Sequence, residues 1–125
     1  MKGISVLIID DETAVLKLLA MVLSKNGYQI DTADSGEEGI NKLQSNDYDL
    51  VITDMRMGKM TGYFMLESVR KMKGGSIPVI AMSGDPNLID GHQFDAFILK
   101  PCTLKLLVET VQNLLSPTID AIPVP

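Results

Sequence analysis

The stretch Ile4-Ser5-Val6-Leu7-Ile8-Ile9-Asp10-Asp11 sets an almost unbroken apolar run against a pair of carboxylates. The run is too short and too uniformly apolar for an amphipathic helix, and it suits a central parallel strand buried on both faces. A second run, Leu50-Val51-Ile52-Thr53, ends at Asp54. If both are parallel strands of one sheet, Asp10, Asp11 and Asp54 meet at its carboxyl edge, where open α/β sheets keep their ligand sites. Clustered carboxylate oxygens suit a hard cation such as Mg²⁺, usually held by one or two carboxylates with waters and phosphate oxygens completing its shell.

Around these two strands the hydrophobic period alternates between strand and helix. Val15, Leu18, Leu19 and Val22 recur at helical spacing, with Gly27 where a helix C-terminus belongs. Tyr28 to Asp34 reads as a second strand, and Ser35-Gly36-Glu37-Glu38 as a capping box opening a helix that carries Ile40 and Leu43. Met65, Leu66, Val69 and Met72 mark a third helix ending at Gly74-Gly75, and Ile77 to Met82 a fourth strand. Ala96 to Leu99 makes a short fifth strand. Leu104, Leu107, Val108, Val111 and Leu114 make a last helix behind a Thr103 cap. Repeated β-α units of this length predict an α/β fold, a doubly wound five-stranded parallel sheet flanked by helices.

With 125 residues, 46% hydrophobic and 22% charged, the chain is expected to form one soluble domain. A net charge of -5 argues against direct nucleic-acid binding, which needs clusters of Lys and Arg. No apolar stretch approaches the ~20 residues of a membrane span, and Met1-Lys2-Gly3 leads into a strand without a signal peptide's apolar region, so a cytoplasmic location is expected. Cys102, the only cysteine, reads as a small buried hydrophobe.

Four chemistry-bearing groups thus fall at successive strand ends: Asp10-Asp11, Asp54, Ser83 and Lys100-Pro101. Each is common alone; the ordered set is specific. It resembles the receiver domain of bacterial two-component response regulators over residues 3 to 115. Residues 1–115 are therefore expected to form that domain and 116–125, with three prolines, a tail or linker.

The resemblance implies a flavodoxin-like strand order, 2-1-3-4-5, and a role for each residue. Asp54 is expected to take a phosphoryl group from a phosphohistidine on a histidine kinase or phosphotransfer protein. Asp11 and Asp54 would bind Mg²⁺ directly, Asp10 directly or through water, and the backbone carbonyl of Arg56 would be the remaining protein ligand. Lys100 would pair with Asp54 at rest and with a phosphoryl oxygen afterwards, while Ser83 would donate to another. Ser83 and Phe97 would form the switch, the aromatic turning inward as the hydroxyl moves, and the Lys100-Pro101 bond would be cis. Arg56 and Asp85 would flank the path of water to the phosphoryl group and tune dephosphorylation. Such a chain would not be an enzyme beyond its own phosphoryl transfer and dephosphorylation.

Plainer readings exist. Asp11 could cap the first helix, Lys100 could be a solvated strand end, Ser83-Gly84 an ordinary turn, and His92 a surface residue; Phe97 is expected in the core in any case. A degenerate receiver that only binds partners lacks reason to keep the whole set of site residues. An aspartyl-phosphate phosphohydrolase of the haloacid dehalogenase type needs two Asp spaced two apart, which Asp10-Asp11-Glu12-Thr13 does not supply. A flavodoxin needs a phosphate cradle in the first turn, which here is acidic.

The chain departs from the family pattern in three places. Met57 is followed by Gly58 instead of proline, so a looser loop is expected, and Cys102 stands where a bulky aromatic is common. The eleven residues from Gly84 to Phe94 are close to the minimum for a crossover with a helix. The fourth helix is thus expected to be shortened or irregular, with Asp85-Pro86 as its N-cap and first position. It lies on the family's usual partner surface.

Overall fold

The computed structural model describes residues 3–57, 60–88 and 93–115. His92, Gly58 and the tail lie outside them. The chain runs β1 (Ser5–Ile9), α1 (Thr13–Lys25), β2 (Gln29–Ala33), α2 (Gly36–Ser45), β3 (Leu50–Asp54), β4 (Arg56–Met57), β5 (Met60–Thr61), α3 (Gly62–Lys73), β6 (Val79–Ser83), a 3-10 turn (Pro86–Leu88), β7 (Ala96–Leu99) and α4 (Leu104–Leu115). The main sheet is parallel in the order β2-β1-β3-β6-β7. This is the expected 2-1-3-4-5 order, with β4 and β5 adding a small antiparallel hairpin that the periodicity did not reveal.

Strand alternation divides the core in two. Val6, Ile8, Leu50, Ile52, Ile80, Met82 and Ile98 pack against α1 and α4 through Leu16, Leu19, Leu23, Leu107 and Val111. Leu7, Ile9, Val51, Val79 and Ala81 face α2 and α3 through Leu43, Met65 and Val69. The helix ends follow local chemistry. Ser35 accepts the Glu38 N–H at 3.1 Å while Glu38 reaches back to the Asp34 N–H at 2.8 Å. Thr61 and Thr103 cap α3 and α4, accepting from Phe64 and Leu106 at 3.1 and 3.0 Å. Gly27, just past α1, has φ of 95°, a conformation that favours glycine.

Among the described residues of the expected fourth helix there is a 3-10 turn, opened by Asp85, whose Oδ1 accepts the Asn87 N–H at 2.9 Å. Phe94, 6% exposed, packs beside this segment with its ring 5.3 Å from that of Tyr63 on α3. Arg70 on α3 secures the same region, donating to the carbonyl of Ile77 at 2.8 Å and to Asp95 at 3.1 Å. The same Asp95 oxygen accepts the Val79 N–H at 2.8 Å.

One expectation fails here. Phe97 is not a core residue: it is 47% exposed, beside Leu99 at 44%. In β7 the register pairs Phe97 with Ala81, so its side chain points to the α3 face of the edge strand. Ile98 takes the α4 side and is buried. Phe94→Ala should therefore cost about 3 kcal/mol of unfolding free energy, and Phe97→Ala less than about 1 kcal/mol. Urea denaturation of the two variants checks this, and equal losses would contradict the exchange of roles between the two aromatics.

Candidate functional site

The register of the sheet assembles the site. Ile9 pairs with Thr53, so the next residues, Asp10 and Asp54, stand side by side; Asp54 pairs with Met82, so Ser83 stands one step beyond. Leu99 pairs with Ser83, and the Lys100 N–H donates to the Ser83 carbonyl at 2.8 Å, bringing the lysine to the same edge. Carboxylate oxygens of Asp10, Asp11 and Asp54 all lie within 4.8 Å of one another.

Two of these acids are buried and the third is not. Asp10, 1% exposed, continues the ladder through its N–H to Ala33 at 3.1 Å, and its Oδ1 accepts the Glu12 N–H at 2.9 Å. Asp54 Oδ2 accepts the Arg56 N–H at 3.2 Å. Lys100 Nζ bridges both, at 2.8 Å from Asp54 Oδ1 and 3.0 Å from Asp10 Oδ2. The Lys100-Pro101 bond is cis, as the resemblance implied.

Burial raises the Asp54 carboxyl above its ordinary value, the hydrogen bond and charge of Lys100 oppose this, and Asp10 reinforces it. For Lys100, burial acts downward, but the hydrogen bonds to Asp54 and Asp10 outweigh it and lift the ammonium above its ordinary value. The shift at Asp54 disfavours its charge, whereas that at Lys100 favours a charged pair. The 2.8 Å contact, with a backbone N–H on the second carboxylate oxygen, is the geometry of an ion pair, and it decides the matter.

Local features hold the phosphoacceptor candidate in place. A Cβ on Gly62 would fall 3.2 Å from the Asp54 carbonyl oxygen and 3.1 Å from the Met55 Cα, so glycine lets α3 begin directly under the end of β3. The Ser83 hydroxyl accepts the Asp85 N–H at 3.0 Å and donates to the Asp85 carbonyl at 3.1 Å. Arg56 and Asp85 approach to 3.5 Å across the mouth. A cavity of about 380 Å³ lies between Asp11, Asp54, Ser83 and Lys100, with Glu12, Arg56 and Asp85 at its rim.

Two readings change. Asp11 does not cap α1, because the N-cap is Glu12, and Asp11 is exposed at the cavity instead. Glu12 itself was not singled out as a site residue, yet its carboxylate lies 3.5 Å from Lys100; its place directly after the acid pair was the only signal. A larger cavity, about 480 Å³, lies at the amino edge between Gln29, Asp31, Asn46, Tyr48 and Lys73. Its polar groups pair among themselves, Tyr48 with Asp31 at 2.7 Å and Lys73 with Asp47 at 3.2 Å, and it holds no converging reactive set.

The donor set fits a hard cation: three carboxylates at one edge, two of them partnered by N–H groups that leave lone pairs free. Among the described residues, no helix is long and apolar enough to cross a membrane.

Comparison with known proteins agrees with this geometry. Residues 6–112 match the family model of the response regulator receiver domain. The chain is 31% identical over 125 residues to the transcriptional regulatory protein GlrR of Escherichia coli, covering 96% of this chain and 28% of that protein. It is 31% identical to the sensor histidine kinase RcsC of the same species, covering 85% of this chain and 12% of that one. It thus spans only a minor part of either. The structure of the response regulator protein TrrA from Thermotoga maritima, in complex with Mg²⁺-BeF, superposes with a TM-score of 0.82 at 32% identity, covering 90% of this chain and 99% of that one. The family model spans most of the chain, and the superposition carries the same fold at 32% identity: the chain belongs to the response regulator receiver domain family.

Proposed function

We propose that this domain is a phosphoacceptor and that Asp54 is the residue that takes the phosphoryl group, from a phosphohistidine on a histidine kinase or phosphotransfer protein in the cytoplasm. The observation that carries this is the Lys100 ammonium shared by Asp54 and Asp10, with Asp11 beside them at an open cavity. A carboxylate attacking an anionic phosphoryl group is repelled unless the charge is neutralised, so the chemistry reduces to positioning and electrostatics. Asp54 Oδ bonds to phosphorus as the nitrogen–phosphorus bond breaks, and that electron pair leaves with the nitrogen. Asp11, Asp54, the Arg56 carbonyl and, directly or through water, Asp10 would hold Mg²⁺, which would supply the remaining positive charge.

The other residues take supporting roles. Lys100 exchanges Asp54 for a phosphoryl oxygen. Ser83 exchanges the Asp85 backbone for another, and Phe97, exposed in the resting form, turns inward as the hydroxyl leaves. Catalysis is confined to the domain's own phosphorylation and dephosphorylation. The cavity's full set of charged groups supports this reading over a partner-binding module without phosphorylation, and the adjacent Asp10-Asp11 pair supports it over a phosphohydrolase.

With acetyl phosphate and Mg²⁺ the protein should gain one phosphate by intact mass, and Asp54→Asn should gain none; unchanged labelling of that variant would move the acceptor elsewhere. In Mg²⁺ titrations, Asp11→Ala should weaken affinity more than Asp10→Ala, because Asp10 is already engaged by Lys100 and Glu12 while Asp11 is exposed. Equal effects would contradict the assignment of direct ligand. Arg56→Ala and Asp85→Ala should each shorten the dephosphorylation half-life a few-fold by opening the rim, a modest effect in keeping with an exposed pair. Half-lives equal to that of the unsubstituted protein would remove the rim pair from the account.

A further inference from the structure

Glu12 occupies the N-cap of α1 with extended backbone, φ -91° and ψ 102°, and its side chain makes no capping hydrogen bond. That position ordinarily holds Ser, Thr, Asn or Asp, whose short side chains reach back to the helix N–H groups. Glu12 forgoes that bond, and its carboxylate lies instead at the cavity, 3.5 Å from Lys100 Nζ. Its backbone is fixed, with the N–H held by Asp10 Oδ1 at 2.9 Å and the carbonyl accepting the Leu16 N–H at 3.0 Å.

Glu12 also has acceptor capacity to spare, as has Asp11, which the proposed function assigns to the metal. Asp85 uses Oδ1 for Asn87 and Oδ2 for Arg56, and Asp10 is buried with both oxygens engaged. The Glu12 side chain is 63% exposed, and its one contact to a cation is the long one to Lys100. Among the described residues at the site, five carboxylates (Asp10, Asp11, Glu12, Asp54, Asp85) stand against two cations (Lys100, Arg56). These groups together stay net negative even with a divalent cation added.

We propose that Glu12 sets the donor preference of this site, favouring phosphoryl groups carried on a protonated nitrogen over those carried on an anionic acyl oxygen. The proposal rests on the phosphoacceptor reading of Asp54. A phosphoramidate arrives with positive charge on its nitrogen side, which the Glu12 carboxylate attracts. As the Asp54 oxygen–phosphorus bond forms and the nitrogen–phosphorus bond breaks, the electron pair stays on nitrogen, which keeps its protons and leaves as a neutral base. Glu12 remains a carboxylate throughout. An acyl phosphate brings only negative charge to the same rim and is repelled.

The test compares second-order phosphorylation rate constants for phosphoramidate and acetyl phosphate, with Mg²⁺ and at constant ionic strength. A unit charge about 6 Å away under water-like screening changes a rate about threefold. Glu12→Gln should therefore raise the acetyl phosphate constant and lower the phosphoramidate constant, each by about threefold. Glu12→Asp, which keeps the charge, should hold the donor ratio close to that of the unsubstituted protein. Equal changes with both donors would show that Glu12 only positions Lys100 and would overturn the proposal, as would an unchanged ratio in Glu12→Gln. Absence of labelling of the unsubstituted protein by either donor would overturn the phosphoacceptor reading instead.

Discussion

Lys100 Nζ lies 2.8 Å from Asp54 and 3.0 Å from Asp10, and without it two buried carboxylates would face each other across adjacent strands with only backbone N–H groups for support. Removing one member of such a buried cluster leaves charge uncompensated in poorly solvated surroundings, a cost of several kcal/mol, on the order of 3 to 5. The interaction is costly to build and contributes little net stability. Its physical meaning is a poised site: negative charge concentrated at one edge, with one ammonium shared between two buried carboxylates.

That balance depends on strand register far more than on local conformation. Three parallel pairings must hold together, β1 with β3, β3 with β6 and β6 with β7, before Asp10, Asp54, Ser83 and Lys100 share an edge. A slip of one residue in β7 would turn Ile98 out of the core as well as move the lysine. The edge strand is held by more than its ladder. Asp95, just before β7, accepts from the Val79 N–H and from Arg70, tying the entry of β7 to α3 and to the start of β6. Side-chain pairing thus takes over part of what a packed fourth helix contributes to positioning the last strand.

The shortened connection changes the character of the sheet edge. Phe94 fills space against Tyr63, while Phe97 and Leu99 stand half exposed on the same side of β7. An aromatic already half in water has less packing to lose on changing rotamer than a buried one, so burial opposes an inward turn of Phe97 only weakly. The Ser83 hydroxyl is likewise held by short-range bonds to the Asp85 backbone and, among the described residues, by none across the cavity. Both groups rest in arrangements that are inexpensive to leave.

Continuous apolar runs, helical periods, caps and acids at strand ends are local signals, and by themselves they determined the class of fold, the order of elements and the residues of the acidic edge. Asp10, Asp54, Ser83 and Lys100 were legible because a parallel strand's carboxyl end is a fixed place in this architecture. Tertiary structure alone decided what depends on distance and facing. Alternation in Ala96-Phe97-Ile98-Leu99 is the same whichever side points inward, and only the position of α4 and the shortness of the connection assign Ile98 to the core and Phe97 to solvent. Likewise, the sequence around Glu12 admits a helix start at Asp11; packing of α1 moved the N-cap on by one residue and brought the Glu12 carboxylate to Lys100. Such contacts arise from elements nearly ninety residues apart in the chain, and no local pattern encodes them.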